Sequence, residues 1–218
     1  GIVMNKNAFF SLTYGLYLIG VENGEKKNGC IVNTALQLTD ETPRVMVSLE
    51  KSHLTTTLIR QKKSFTISVL DSSTTDDLIA NFGFVSGVSK DKFENIDYLV
   101  DEKNNPYIKE SVAYFSCELE KEILVDTHVI FIAKVLNCDL LDQKPPLTYA
   151  QYQTRKTKTE DKTSENSTNE KDVIESKATS KKGFRCTVCN FIYDGEMLPE
   201  GFICPICHRD ASVFVPIE

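Results

Sequence analysis

No run of apolar residues in this 218-residue chain is long enough to cross a bilayer, and its N-terminus lacks the apolar segment of a secretion signal. Nothing follows the G-x-G-x-x-G pattern, so no Rossmann nucleotide site is expected. A basic excess is missing as well. The formal net charge is -6, and both the part before Thr154 and the part from Phe184 onward hold more acidic than basic residues. That balance argues against a nucleic-acid binder and favours partners with basic or neutral docking surfaces. Cysteine is scarce and odd in number, seven in all, with Cys30, Cys117 and Cys138 scattered. A secreted disulfide scaffold does not fit this, and a soluble protein of the reducing cytoplasm is the expectation.

The other four cysteines fall within twenty-two residues, in "CTVCNFIYDGEMLPEGFICPIC" from Cys186 to Cys207. Each C-x-x-C lets two thiolates from one tight turn approach a single ion. Two such turns, Cys186 with Cys189 and Cys204 with Cys207, complete a tetrahedron of sulfur, which means zinc or iron. Phe184, Phe191, Ile192, Tyr193, Phe202, Ile203 and Phe214 flank the ligands and would build a small core around the metal. These residues resemble rubredoxin, the one-iron electron carrier, over Phe184 to about Val215. The resemblance implies iron at the four cysteines. Only fourteen residues separate Cys189 from Cys204, as in compact rubredoxin modules fused to other redox domains. Asn190 and His208 stand where that family usually has glycine after each pair, at positions expected to need a left-handed backbone.

Residues 154–183 read as a tether. "TRKTKTEDKTSENSTNEKDVIESKATSKKG" has no aromatic residue and only Val173, Ile174 and Ala178 as aliphatics. It cannot bury enough surface to offset its ordering entropy. A flexible chain of this length reaches about 30 Å. The expected organisation is therefore a larger domain over 1–153, the tether, and the metal module over 184–218.

The larger domain reads as mainly β with a few helices. Strands are expected at Gly15 to Glu22, Gly29 to Thr39, Arg44 to Glu50 and Ser64 to Leu70, with at least two more between Val112 and Leu141 turning near Val125 and Asp126. Helices are expected at Leu54 to Gln61, with Ser52 as cap, and at Thr75 to Phe82. Many short strands with few helices between them predict an antiparallel barrel. Cys30, Cys117 and Cys138 fall in strand patterns and read as small buried hydrophobes.

"YGLYLIG", "NGCIVNTALQLT", "VSLEKSHLTTTLI", "FGFVSGVSKDKF", "THVIFIAKV" and "PPLTYAQY", in that order, resemble the flavin reductase family with its FMN-binding split β-barrel. Joined to a rubredoxin module, the chain is similar to the group called high molecular weight rubredoxins. The resemblance implies FMN, a homodimer through the barrel, and NADH or NADPH as donor. It also implies electron flow through FMN to iron and on to a flavodiiron oxygen or nitric oxide reductase. A flavin phosphate needs hydrogen-bond donors and positive charge, and Lys51, Ser52, His53 and Thr55 lie where a strand meets a helix N-terminus. Ser86, Gly87 and Lys92 are further phosphate candidates. Asn33, Thr34, Ala35 and Gln37 are candidates for the isoalloxazine edge. His128 resembles a family position near the flavin, or serves as a structural hydrogen-bonding residue. No protein acid or base is expected to be catalytic, because the flavin performs the chemistry. Two other readings stay open: a non-enzymatic carrier reduced by another protein, and a flavin reductase with a structural zinc ribbon.

Overall fold

The computed structural model describes residues 3–155, 183–188, 191–193, 197–199, 201–204 and 209–217. The chain divides into two compact units, one over Leu12–Thr159 and one containing the C-terminal residues. The first contains the strands β1 (Tyr17–Glu22), β2 (Lys27–Val32), β3 (Ala35–Thr39), β4 (Arg44–Glu50), β5 (Ser64–Val69), β6 (Tyr98–Val100), β7 (Pro106–Ile108), β8 (Ala113–Val125) and β9 (His128–Leu140). Seven of them form one antiparallel sheet in the order β2-β1-β5-β8-β9-β4-β3, while β6 pairs with β7.

Curvature follows from who shares the core. Cys30 and Val32 of β2 lie in one buried cluster with Val45, Val47 and Leu49 of β4, although β2 and β4 stand near opposite ends of the strand order. A flat sheet would hold them far apart, so the sheet curls into a barrel with this cluster as its interior. Val45, Val47 and Leu49 alternate inward along β4, as a strand with one buried face requires. β1 is apolar and buried from Leu18 to Val21 because both its faces are covered. Ile19 and Val21 point into the barrel, while Leu18 joins a second cluster with Leu70, Ile79, Phe82 and Phe93 outside it. Each such side chain contributes about 1.5–3 kcal/mol by leaving water.

Helix α1 (Leu54–Lys62) follows β4 and places Leu58 and Ile59 in the barrel cluster. It ends at Lys63, whose backbone is left-handed (φ 67°) and whose N–H donates to Ile59 O. Helix α2 (Asp76–Gly83) packs in the outer cluster through Ile79 and Phe82. Thr75 caps it by accepting from Leu78 N at 3.2 Å, and Asp76 and Asp77 complement the dipole of its first turn. The hairpin between β8 and β9 turns through Asp126 (φ 50°) and Thr127, with Val125 facing His128. A further helix over 149–155 buries Tyr152 in the outer cluster, and Arg155 donates to Ser72 O (3.1 Å) and Asp76 Oδ1 (2.7 Å). Thr154 and Arg155, read above as the start of the tether, lie in this helix, and residues 156–182 are outside the described residues.

Three expectations are corrected. The strand expected over Gly29 to Thr39 breaks at Asn33 and Thr34, because the chain leaves the β1 edge there and joins β4 at the other end of the sheet. Ser52 does not cap α1. The N-cap is His53, and its side chain makes no capping bond. Cys138 is exposed rather than buried, since it lies near the C-terminal end of β9, beyond the barrel cluster, whereas Cys30 and Cys117 are buried as expected.

In the second unit, β10 (Gly183–Cys186), β11 (Ile192–Tyr193) and β12 (Phe214–Ile217) form a sheet in the order β11-β10-β12. A short 3₁₀ turn at Ala211–Val213 is capped by Asp210, which accepts from Ser212 N at 2.9 Å.

Candidate functional site

Of the barrel residues expected to hold a flavin, Thr55 and Gly87 meet at the Asn28 carboxamide on β2. Asn28 and Cys30 are two apart on β2 and therefore share its inward face. Asn28, 1% exposed, donates through Nδ2 to Thr55 Oγ1 at 3.0 Å, which ties β2 to the first turn of α1. Gly87 packs against the same carboxamide so closely that any Cβ there would collide with it. The carboxamide thus joins the α1 start to the loop carrying Ser86. Its Oδ1 is buried without a hydrogen-bond partner. Ser86 is exposed and accepts from Val88 N at 3.2 Å.

Lys92 is turned into the fold. It is 5% exposed, and Nζ donates to Gly29 O (2.9 Å) and Phe82 O (3.1 Å). The ammonium thereby satisfies an outward carbonyl of the edge strand and one in the last turn of α2, where the helix dipole favours a cation. Burial pulls it below the ordinary lysine range, with the negative charge available at Cys30 opposing that fall. Asn81 Nδ2 donates to Lys92 O at 2.7 Å, so the loop is held at both backbone and side chain.

At the other end of the strand order, β4 ends at Glu50, and the chain turns through Lys51 and Ser52, both exposed, into α1. Lys51 N donates to Thr127 O at 3.0 Å, and Glu50 pairs with His128, so the β8–β9 turn lies beside this segment. His128 is exposed, with its Nδ1 2.8 Å from Thr127 Oγ1. His53 lies beside an acidic group: its Nε2 is 3.4 Å from Glu50 Oε2. Burial alone would lower its pKa, but the bonds and charges of Cys30 and Glu50 raise it to about 9.

Asn33 and Thr34 form the corner between β2 and β3, where Thr34 Oγ1 donates to Asn33 Oδ1 at 3.0 Å. Ala35 opens β3 opposite Val47. Gln37 is exposed, and its amide donates to Thr39 O (3.2 Å) and Asp40 Oδ1 (2.6 Å), so the side chain is engaged by the β3–β4 turn.

These residues fit a bound FMN. α2 is capped by Thr75, while α1 begins with no side-chain cap, leaving N–H groups at its start for an anion. Lys51 supplies positive charge at that end, and the Asn28 carboxamide offers an acceptor with no protein donor beside Gly87. Asn28, Cys30 and Glu50 were not among the residues expected from sequence. The signal for them is the i, i+2 pair Asn28 and Cys30, facing a helix start that a sequence alone does not bring near.

In the C-terminal unit, Cys186 and Cys204 are both fully buried, in one cluster with Phe214, Phe184, Phe191, Tyr193 and Phe202. Backbone bonds close the two turns around them: Cys186 N to Phe191 O (2.8 Å) and Cys204 N to Arg209 O (2.7 Å). Phe202 and Phe214 meet edge to face at 5.2 Å, and Tyr193 lies 4.9 Å from Phe202. Two buried sulfurs in an aromatic shell are the donor chemistry of a thiolate-held metal. Cys189, Cys207, Asn190 and His208 lie outside the described residues.

Comparison with known proteins agrees with both halves. Residues 9–158 match the model of the flavin reductase like domain, and residues 184–215 match the rubrerythrin, rubredoxin-like domain. High molecular weight rubredoxin of Moorella thermoacetica is 35% identical over 98% of this chain and 100% of its own length. Ferric-chelate reductase (NAD(P)H) of Archaeoglobus fulgidus is 31% identical over 68% of this chain and 89% of its own. The crystal structure of flavoredoxin from Methanosarcina acetivorans superposes with a TM-score of 0.59 at 23% identity, covering 66% of this chain and 76% of that one. The barrel and the four-cysteine module therefore place the chain in the flavin reductase like family, in the form that carries a C-terminal rubredoxin-like iron module.

Proposed function

We infer that this chain takes electrons from a nicotinamide nucleotide into FMN, passes them to one iron held by Cys186, Cys189, Cys204 and Cys207, and delivers them to an acceptor protein of the flavodiiron type. The observation that carries this reading is the presence of both matched domains, 9–158 and 184–215, in one chain. Bound FMN would supply the step from a two-electron donor to a one-electron acceptor.

The barrel residues hold and orient that cofactor. The uncapped start of α1, with Lys51 and Ser52, receives the phosphate, and Thr55 is fixed beneath it by Asn28. Gly87 lets the loop backbone close on the same side, and Lys92 holds that loop in place rather than touching the phosphate. Asn33, Thr34 and Ala35 present the barrel corner to the ring, and Gln37 joins them only by releasing Asp40. His128 lies beside Glu50, close to the phosphate turn. Exposed Leu36 and Leu38 on β3 and Leu124, Leu136 and Leu140 on the β8–β9 hairpin leave apolar surface that a second copy of the barrel would cover. Light scattering would then give the mass of a homodimer, and a monomer at micromolar concentration would contradict that part of the reading. A reducing cytoplasmic setting goes with it, because the ligand thiols have to stay reduced to hold iron.

The test is steady-state oxidation of NADH and NADPH by protein reconstituted with FMN and iron. Turnover of either nucleotide, with iron reduction lost in Cys186→Ser while flavin reduction persists, is the expected result. Iron that is reduced only when another reductase is added would make the chain a passive carrier.

A further inference from the structure

Between Ser86 and Lys90 every residue is exposed except Gly87, which is buried. It is pressed onto the side chain of Asn28, since a Cβ at Gly87 would run into Oδ1, Cγ and Nδ2 of that carboxamide. The same carboxamide donates through Nδ2 to Thr55 Oγ1 at 3.0 Å. One buried side chain on β2 therefore touches both the first turn of α1 and the tip of the loop after α2. A buried amide oxygen ordinarily accepts a hydrogen bond, and leaving it without one is unfavourable. Asn28 Oδ1 has no such partner, because the backbone at Gly87 occupies the place a donor would take. The next residue of the strand acts on the other end of the loop, where Gly29 O accepts from Lys92 Nζ at 2.9 Å. Between these two braces the loop holds only to itself, with Val88 N donating to Ser86 Oγ and Ser89 N to Ser86 O, each at 3.2 Å. The place of Ser86 relative to α1 thus depends on Asn28.

We propose that Asn28 is the positioning residue that makes the barrel select a phosphorylated flavin over an unphosphorylated one. It sets the separation between the start of α1 and the Ser86–Gly87 backbone, the two walls between which the proposed phosphate lies, and does not touch the phosphate itself. The inference rests on that placement of the phosphate. Donors on two separate elements grip an anion well only when their spacing is fixed beforehand, because ordering them on binding subtracts from affinity and hydrogen bonds weaken steeply off their proper geometry. Riboflavin has the ring and ribityl chain of FMN without the phosphate, so it gains nothing from this spacing.

The experiment titrates full-length, iron-loaded protein, freed of flavin, with FMN and separately with riboflavin, following flavin fluorescence. The parent is expected to bind FMN more tightly than riboflavin. Asn28→Leu, similar in size but without polar atoms, is expected to weaken FMN roughly tenfold or more, the scale of one lost hydrogen bond to a charged group, and to move riboflavin by less than about threefold. Gly87→Ala disturbs the same contact from the loop side and should give the same split, which keeps the test open should Asn28→Leu fail to fold. Either variant, folded by circular dichroism and keeping the parent's preference for FMN, would overturn the proposal. So would an equal loss for both flavins, which is the mark of a merely structural role. A parent that binds the two flavins equally would instead contradict the phosphate placement beneath the proposal, so the two failures are told apart.

Discussion

His53 lies beside the Glu50 carboxylate, and burial works against its charge while Cys30 and Glu50 favour it. Its pKa in the folded chain is raised from the ordinary 6.5 to about 9, so the proton binds more tightly to the folded state than to the unfolded one. The stabilisation is therefore complete below about pH 6.5 and is lost as pH rises through about 9. Thermal unfolding followed from pH 6 to 10 should show a loss on the order of 1–3 kcal/mol from this group, and Glu50→Gln should flatten the profile. A profile that is level in this window would show that His53 does not hold the proton. Lys92 makes a second residue-scale prediction. Lys92→Met keeps the side-chain length but leaves Gly29 O and Phe82 O buried and unpaired, so urea unfolding should report a loss of about 2–4 kcal/mol. A loss under about 0.5 kcal/mol would show that the ammonium does not anchor the loop. From sequence, Lys92 read as a phosphate candidate because a lysine beside Ser86 and Gly87 suits an anion. Its actual partners are carbonyls of β2 and α2, distant in sequence, and no local pattern reports them.

The two helices differ at their N-termini, and that difference separates stability from binding. Thr75 caps α2, so Thr75→Ala should cost about 1 kcal/mol in chemical unfolding. Ser52→Ala should fall within about 0.5 kcal/mol of the parent, because Ser52 makes no cap, yet it should weaken FMN binding measured by fluorescence quenching. Equal stability losses at the two positions would contradict the assignment of His53 as an unassisted N-cap. Much of the element pattern was legible. β4 alternates apolar and polar residues, and Asp126 marks the tight turn of the long hairpin, so both are local signals. The break at Asn33 and Thr34 was not legible, because "GCIVNTALQLT" is good strand sequence throughout and only closure of the barrel requires the corner. Cys138 misled for a similar reason. Its strand pattern continues, but β9 outruns the core that would cover it.

At the scale of the whole molecule, a barrel with an uncapped helix start and an aromatic cluster with buried Cys186 and Cys204 are two different kinds of site, each legible in a different way. The four cysteines are a spacing motif, readable at sight, and the rubredoxin-like domain found over 184–215 agrees with it. The proposed flavin cradle draws on β2, β4, α1 and the loop after α2, so sequence supplied its candidates and the fold brought Asn28 and Glu50 beside them. The central claim is that these two sites exchange electrons within one chain. The most direct test is an anaerobic absorption spectrum of the native protein before and after NADH, with FMN, iron and zinc quantified in the same sample. The account predicts flavin and ferric-thiolate bands that bleach together. A flavin that bleaches while the four-cysteine module holds zinc in native protein, or leaves its iron oxidised, would contradict it.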